Sequence, residues 1–243
     1  MKILAVETST KHLSIAVAED DTILVSRSVP PKRDLSLSIT FDIERVLQKA
    51  GVFLHQIDAY VVGLGPGSFT SLRVGLSMLK AFIMVNDRLV VGVPSLDVIA
   101  MNVKSRKPVQ VCVISDARRN LLYSCLYEKS GTVLKRKTEH MLKPMAEVLA
   151  LLSGEVHFVG DGIPLCLQTI KEESVRHFKF TPVFEDEKNW LPNARELAYL
   201  GWQRLVKKDV DKIETLAPLY LYPEDCQVSH PVPLPAVDQG QAK

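Results

Sequence analysis

The chain has 243 residues, 47% of them apolar and 24% charged, with a formal net charge of +2 at neutral pH. That balance suits one large domain or two lobes of about 100–130 residues each. It excludes a low-complexity chain, offers no run of about 18 apolar residues for a membrane span, and argues against autonomous nucleic-acid binding through a strongly basic face.

In chain order, Ile3–Glu7 reads as a buried strand, and His12–Ala18 and Thr22–Ser28 continue it as a meander turning at Glu19-Asp20-Asp21. A polar loop over 30–34 leads to a helix predicted from Ser36 to Ala50 and closed by Gly51. Ile39, Ile43, Val46, Leu47 and Ala50 form its core stripe. Leu37 and Phe41 project to the other side, which suggests an interface or a covering loop.

The next strand, Ala59–Gly63, runs into Gly63-Leu-Gly-Pro-Gly-Ser-Phe-Thr-Ser-Leu-Arg-Val-Gly75. Gly63, Gly65 and Gly67 can take positive φ and admit another group close to the backbone, while Pro66 stiffens the turn. Ser68, Thr70 and Ser71 can cap a helix starting near Ser71, whose first N–H groups then form an anion site. Such a loop could hold a phosphate or bury a tight turn. It is no P-loop, lacking Gly-Lys-Ser/Thr, and no dinucleotide fingerprint, lacking the third glycine. The helix over Ser71–Val85 is apolar almost all round, so it is buried on several sides, within the lobe or by another subunit. A strand at Leu89–Val93 and a helix from Ser95 towards Val103 complete the first unit.

Lys104–Pro108 reads as a boundary, and a second unit starts as the first did. Val109–Ser115 is apolar, Asp116-Ala-Arg118 turns, and Leu121–Tyr127 with Thr132–Leu134 repeat the meander. Asp116 stands 109 residues after Glu7, and Thr132 stands 110 after Thr22, so the two lobes are related. A helix near Met145–Leu152, a strand at Val156–Gly160, the Gly160-Asp-Gly162 turn and a helix over Ala194–Lys207 follow. The predicted division is a first lobe over 1–104, a second over 105–228, and a loose tail over 229–243.

Several single features read as bland. Cys112, Cys125, Cys166 and Cys226 have no pairing motif or metal spacing. None of the six histidines lies within four residues of another, so they are read as surface or structural residues. The basic clusters Lys104/Arg106/Lys107, Arg118/Arg119, Lys135–Lys137 and Lys207/Lys208 are read as solvated faces. With no secretion-signal pattern at the start, a reducing cytoplasm is the expected location.

The segment Gly65–Thr70 with Leu72, Arg73 and Gly75 resembles the signature of the TsaB (YeaZ) family. So do Ile3–Thr10, Val91–Leu96, Ser115–Arg118 and Gly160–Gly162, taken in order. The resemblance implies an α/β, two-lobed actin-like or Hsp70-type ATPase (ASKHA, ribonuclease H-like) fold with duplicated βββαβαβα lobes. It implies work in the machinery that places threonylcarbamoyl on adenosine 37 of tRNA, as a non-catalytic partner and activator of a TsaD-like catalytic subunit. A TsaE-like ATPase would dock on the pair, the chain alone would be a homodimer, and tRNA would be contacted indirectly. No cofactor belongs to the chain itself; ATP and magnesium enter only in the complex.

In this fold the first hairpin of each lobe offers an acidic residue and hydroxyls to metal and phosphates. The candidate nucleotide or phosphate cleft is therefore Glu7, Thr8, Ser9, Thr10, Gly65, Gly67, Ser68, Thr70, Asp116 and Arg118. Glu7 stands where the family usually has Asp, and Asp116 has Arg118 and Arg119 beside it, as suited to an ion pair as to magnesium. Ser95 and Ile99 stand where a TsaD-like chain carries its two metal-binding histidines, so no metal site is expected. The resemblance also places the partner interface on Leu37, Phe41, Leu72, Gly75, Met78, Leu79 and Phe82. The region over Arg33–Ser38 and Ser71 depart from the family pattern. The rival readings are an autonomous ATP-binding ATPase or kinase of the same fold, and a glycoprotease-like peptidase acting through Ser68, although Gly67-Ser-Phe is not a nucleophile elbow.

Overall fold

In the computed structural model, residues 1–30, 35–177 and 179–222 are described. The expected loop beyond Pro30 and the expected tail over 229–243, with Cys226 and His230, lie outside them. Apolar residues on both sides of a strand require a sheet covered on both faces, and Ile3–Val6 are all fully buried. They form the centre of β1 (Lys2–Glu7), which pairs antiparallel with β2 (Leu13–Glu19); β2 pairs with β3 (Thr22–Val29). After helix α1 (Leu35–Ala50), strand β4 (Ala59–Gly63) joins β1 in parallel; helix α2 (Phe69–Asn86) leads to β5 (Leu89–Val93), parallel to β4. The sheet order is β3-β2-β1-β4-β5.

Helix α3 (Ser95–Met101) leads into the second unit. Strands β6 (Val109–Asp116), β7 (Leu122–Ser130) and β8 (Val133–Arg136) form its meander, with the short β9 (Met141–Lys143) on β7. Helix α4 (Met145–Leu149), β10 (Gly154–Val159), α5 (Ile163–His177), β11 (Phe180–Phe184) and α6 (Ala194–Val206) follow. The order β11-β10-β6-β7-β8 repeats that of the first sheet strand for strand, as the 109-residue offset predicts. Helix α5 and β11 were not legible as separate elements, although the repeat requires them as counterparts of α2 and β5. In α5 Ile163, Cys166 and Ile170 are buried in the core and Leu167 packs against it half-buried, a short stripe that ends before the polar second half of the helix.

Leu4 and Val6 face α1 and α2, whereas Ile3 and Ala5, one residue out of phase, face the opposite way. That opposite face is covered by α6, through Ala194, Leu197, Ala198 and Leu205. In return α3 covers one face of the second sheet, placing Leu96, Ile99 and Ala100 against Val111, Val113 and Tyr127. The expected boundary at Lys104–Pro108 thus separates the two sheets but not the two packed bodies, because each unit's last helix lies on the other unit's sheet. Small side chains permit the exchange. Ala5, Ala16, Ala18 and Ala59 make a shallow surface, and a Cβ on Gly201 of α6 would stand 2.4 Å from Val61 Cγ2.

Candidate functional site

The glycine loop after β4 is stitched down by its backbone. The Ser68 N–H donates to the Ser9 carbonyl (2.7 Å), the Gly65 N–H to Ser95 Oγ (3.0 Å), and the Ser95 N–H to the Gly65 carbonyl (2.7 Å). Of the three glycines only Gly65 takes positive φ, at 83°. Gly63 and Gly67 serve close approach instead, and the groups that approach are the chain's own. A Cβ on Gly63 would stand 2.1 Å from Glu7 Oε2, and one on Gly67 2.1 Å from the Ser9 carbonyl oxygen. Ser68 occupies the N-cap position of α2, so the helix starts two residues earlier than expected.

Glu7 ends β1 and is fully buried. Its Oε1 accepts the Ser9 N–H (2.7 Å) and its Oε2 accepts the Ser95 hydroxyl (2.8 Å). Burial pushes the Glu7 carboxyl above its ordinary range, against the lowering pull of hydrogen bonds from Ser9 and Ser95. The residue therefore clamps the loop and the start of α3 from behind. Asp116 closes the matching turn of the second unit: its Oδ1 accepts the Arg118 N–H (2.7 Å), as Glu7 accepts that of Ser9. Its other oxygen pairs with Arg118 Nη1 at 3.1 Å. Glu7 and Asp116, the two acidic residues of the expected cleft, do not converge on one point of it. One carboxylate faces away from the cleft and the other is engaged by a guanidinium.

The structure brings Ser9, Thr10, Gly67, Ser68, Asp116 and Arg118 to one cleft of about 500 Å³ between the two units. Glu7, Thr8 and Gly65 are buried behind its wall, a correction to the expected cleft: their side chains and backbone hold the loop in place. Thr8 packs on α2, where a Cβ on Gly75 would stand 2.4 Å from Thr8 Oγ1. Thr70 is exposed on the first turn of α2, outside the cleft lining. Asp161 is a cleft residue that sequence reading missed. Its Oδ1 accepts the Ser115 hydroxyl (2.5 Å) and the Asp116 N–H (3.2 Å), and the Gly160-Asp-Gly162 turn was the signal for it. Burial, with Tyr222 and Asp116 nearby, pushes the Tyr123 hydroxyl up to about 12, so this cleft residue stays protonated near neutrality. Ser68 Oγ lies 3.0 Å from Ser71 Oγ, and no described histidine is its hydrogen-bond partner.

The expected partner surface divides in two. Leu37 (71% exposed) and Phe41 (65%) stand out from α1. On α2, Leu72 and Leu79 are buried in the lobe's own core and Gly75 faces Thr8, which corrects their placement at an interface. Met78 and Phe82 are half-buried, and Phe82 leans on Tyr60 with ring centroids 6.2 Å apart. Met84 and Val85, at the end of α2, add exposed apolar surface that sequence reading left out. A groove of about 520 Å³, lined by Ile43, Leu47, Val52, Phe53 and Phe82, runs between the two helices.

The buried clamp has a testable consequence. A carboxyl raised in the folded state loses stability as pH climbs from its ordinary value of 4.5 towards the folded value. Glu7→Gln keeps the shape without the charge. Denaturant midpoints should therefore show the variant gaining on the parent chain as pH rises from 4 to 8. A gap independent of pH would mean that Glu7 is ionised at no cost.

Residues 29–228 match the family model described as TsaD: tRNA N6-adenosine threonylcarbamoyltransferase. The protein named tRNA threonylcarbamoyladenosine biosynthesis protein TsaB from Escherichia coli is 28% identical over 226 residues, covering 91% of this chain and 94% of that protein. The Bacillus subtilis protein of the same name is 27% identical over 225 residues, with the same coverage. Among solved structures, YeaZ from Pseudomonas aeruginosa superposes with a TM-score of 0.76 at 23% identity, over 90% of this chain and 99% of that one. A putative N-acetylmannosamine kinase from Listeria monocytogenes shares the fold at a TM-score of 0.50 and 9% identity. The two duplicated sheets, the glycine loop seated on the first hairpin and the matched length together show that the chain belongs to the TsaD family of tRNA N6-adenosine threonylcarbamoyltransferase proteins, among its TsaB (YeaZ) members.

Proposed function

We propose that this chain serves the formation of N6-threonylcarbamoyladenosine at position 37 of tRNA as the partner and activator of a TsaD-like catalytic subunit. The names of its relatives support the pathway. The observation that carries the partner role is the set of exposed apolar side chains on α1 and α2, Leu37 and Phe41 near the start of α1 and Met84 and Val85 at the end of α2, with an apolar groove between the two helices. A face of this kind is covered in the working state by another protein. The cleft supports the same reading, since Asp116 and Asp161 hold the chain's own backbone, Ser115 and Arg118. The reaction, its metal and the tRNA contact then belong to the catalytic subunit, with ATP and magnesium entering in the complex and a TsaE-like ATPase docking on it. Alone, the same face closes on a second copy as a two-fold dimer. Among the described residues no helix is long and apolar enough to cross a membrane; work on tRNA supports a cytoplasmic location.

Size-exclusion chromatography with light scattering, on the chain alone and mixed with its own organism's TsaD-like protein, tests this. A stable mixed complex is expected, with modification activity only when both are present. The double substitution Leu37→Asp, Phe41→Asp places charge at two exposed positions, so folding should be kept while partner affinity falls at least ~30-fold, the scale of interface anchors. Unchanged affinity would put the interface elsewhere. ATP turnover or Ser68-dependent peptide cleavage by the chain alone would return the enzyme readings.

A further inference from the structure

A second recess, of about 420 Å³, shares no lining residue with the cleft or with the α1–α2 groove. It is walled by the end of α3, the linker at Lys104–Arg106, the β7–β8 turn and the first turns of α6. Three cations meet there: Lys104, Arg106 and Lys129. Lys104 is neutralised by Glu196, with Nζ 2.8 Å from Oε1. The other two are not. Arg106 is exposed, with no carboxylate partner for its guanidinium among the described residues.

Lys129 is the unusual member. It lies on β7, on the strand face that carries Tyr127, and is only 2% exposed. Its ammonium donates to the Gly131 carbonyl (2.7 Å), and no carboxylate lies within 4 Å of it among the described residues. Two of its three N–H donors therefore have no partner among the described residues. A buried cation held by one neutral carbonyl is costly to keep charged. Burial pulls its ammonium below the ordinary lysine range and neighbouring Lys104 adds to that, while the more distant carboxylates of Glu196 and Glu185 act against it. The recess is also lined by Thr132 and Tyr199; the Tyr199 hydroxyl accepts from Gln203 Nε2 (3.1 Å) and keeps its own proton to donate.

We propose that this recess binds the terminal phosphate of a small phosphorylated molecule, through Lys129 and Arg106 with Thr132 and Tyr199 as further donors. Charge and shape both select that chemistry. The two cations that have no contact ion pair among the described residues match the charge of a phosphate monoester, between −1.5 and −2 near neutrality. A phosphodiester on an RNA duplex presents a broad convex surface that reaches exposed Lys104 and Arg106. It cannot follow into a recess whose key donor is buried. The basic cluster at 104–107, read from sequence as a solvated face, becomes half of a site once β7 brings Lys129 beside it. A ligand there touches the β7–β8 turn of the second unit and α6, which is packed on the first sheet, and so bridges the two.

The test is calorimetric titration of the full chain with inorganic phosphate at fixed ionic strength, with nitrate as the matched control anion, followed by a 5′-phosphorylated dinucleotide and its dephosphorylated form. Phosphate is expected to bind where nitrate does not, and the 5′-phosphate to strengthen dinucleotide binding. Lys129→Met and Arg106→Ala should each weaken phosphate at least tenfold. Arg106 is exposed, so its variant reads the site even if Lys129→Met disturbs folding. Equal heats for phosphate and nitrate, or full phosphate affinity in Arg106→Ala, would overturn the proposal. So would binding of unmodified tRNA that depends on these residues while inorganic phosphate does not bind, since the recess would then serve RNA backbone.

Discussion

Gly67→Ala is expected to destabilise the chain by about 3 kcal/mol or more, at the upper end of the cost of forcing an atom into a packed interior. The added Cβ would meet the Ser9 carbonyl oxygen at 2.1 Å and the Ser9 carbonyl carbon at 2.8 Å. These are backbone atoms, and the same carbonyl accepts the Ser68 N–H, so it cannot turn away without breaking that bond. The backbone of Gly67 itself is unstrained; the whole cost is steric. Gly131→Ala is the converse control. Its φ is +57°, with nothing within 4 Å of the added Cβ, so only left-handed backbone strain is felt, about 1 kcal/mol. Chemical denaturation of the two variants separates the causes. Equal losses would mean that the loop shifts off the first hairpin freely, and that the cleft wall is soft.

Asp97→Ala should be the most damaging change at the junction of the two units. Asp97 lies on α3, and three groups converge on its carboxylate from the second sheet and its connections: the Tyr127 hydroxyl at 2.7 Å, Arg136 Nη2 at 2.6 Å and His140 Nε2 at 2.9 Å. The His140 side chain is only 6% exposed. Removing the carboxylate leaves buried partners without an acceptor, which costs about 3–5 kcal/mol for a buried pair. Asp97→Asn should lose less, because its carbonyl still accepts from Tyr127. Burial acts to raise the Asp97 carboxyl, but the hydrogen bonds from His140, Arg136 and Tyr127 outweigh it and hold the group below its ordinary value of 3.8. The stabilisation is therefore complete above 3.8 and lost as pH falls through the depressed folded value. Denaturation from pH 7 to pH 2 should show the gap between parent and variant narrowing only in that acid range. A gap that persists unchanged at pH 2 would put the energy in packing, not in the carboxylate.

Much of this architecture was legible before any coordinates. Strands β4 and β5 run where apolar runs bounded by glycine and proline placed them. The repeat required two sheets of one order, and it also contained α5 and β11, which local pattern alone did not reveal. Sequence reading failed where orientation decided the outcome. Glu7 in a hairpin turn reads as a residue of the cleft until its carboxylate is seen turned onto Ser9 and Ser95 behind the cleft wall. Leu72 and Leu79 share one helix with Met84 and Val85, and the nearly all-apolar pattern of that helix gives no phase from which to tell inside from outside.

Local chemistry therefore determined most of the elements, the duplication and the family, because period, turn residues and motif spacing are properties of short stretches of chain. The exchange of α3 and α6 between the two sheets depended on which small residues meet across many positions. So did the sealing of Glu7 behind the cleft and the meeting of Lys129 with Arg106. Those are contacts between residues far apart in the chain, and only packing in three dimensions selects them.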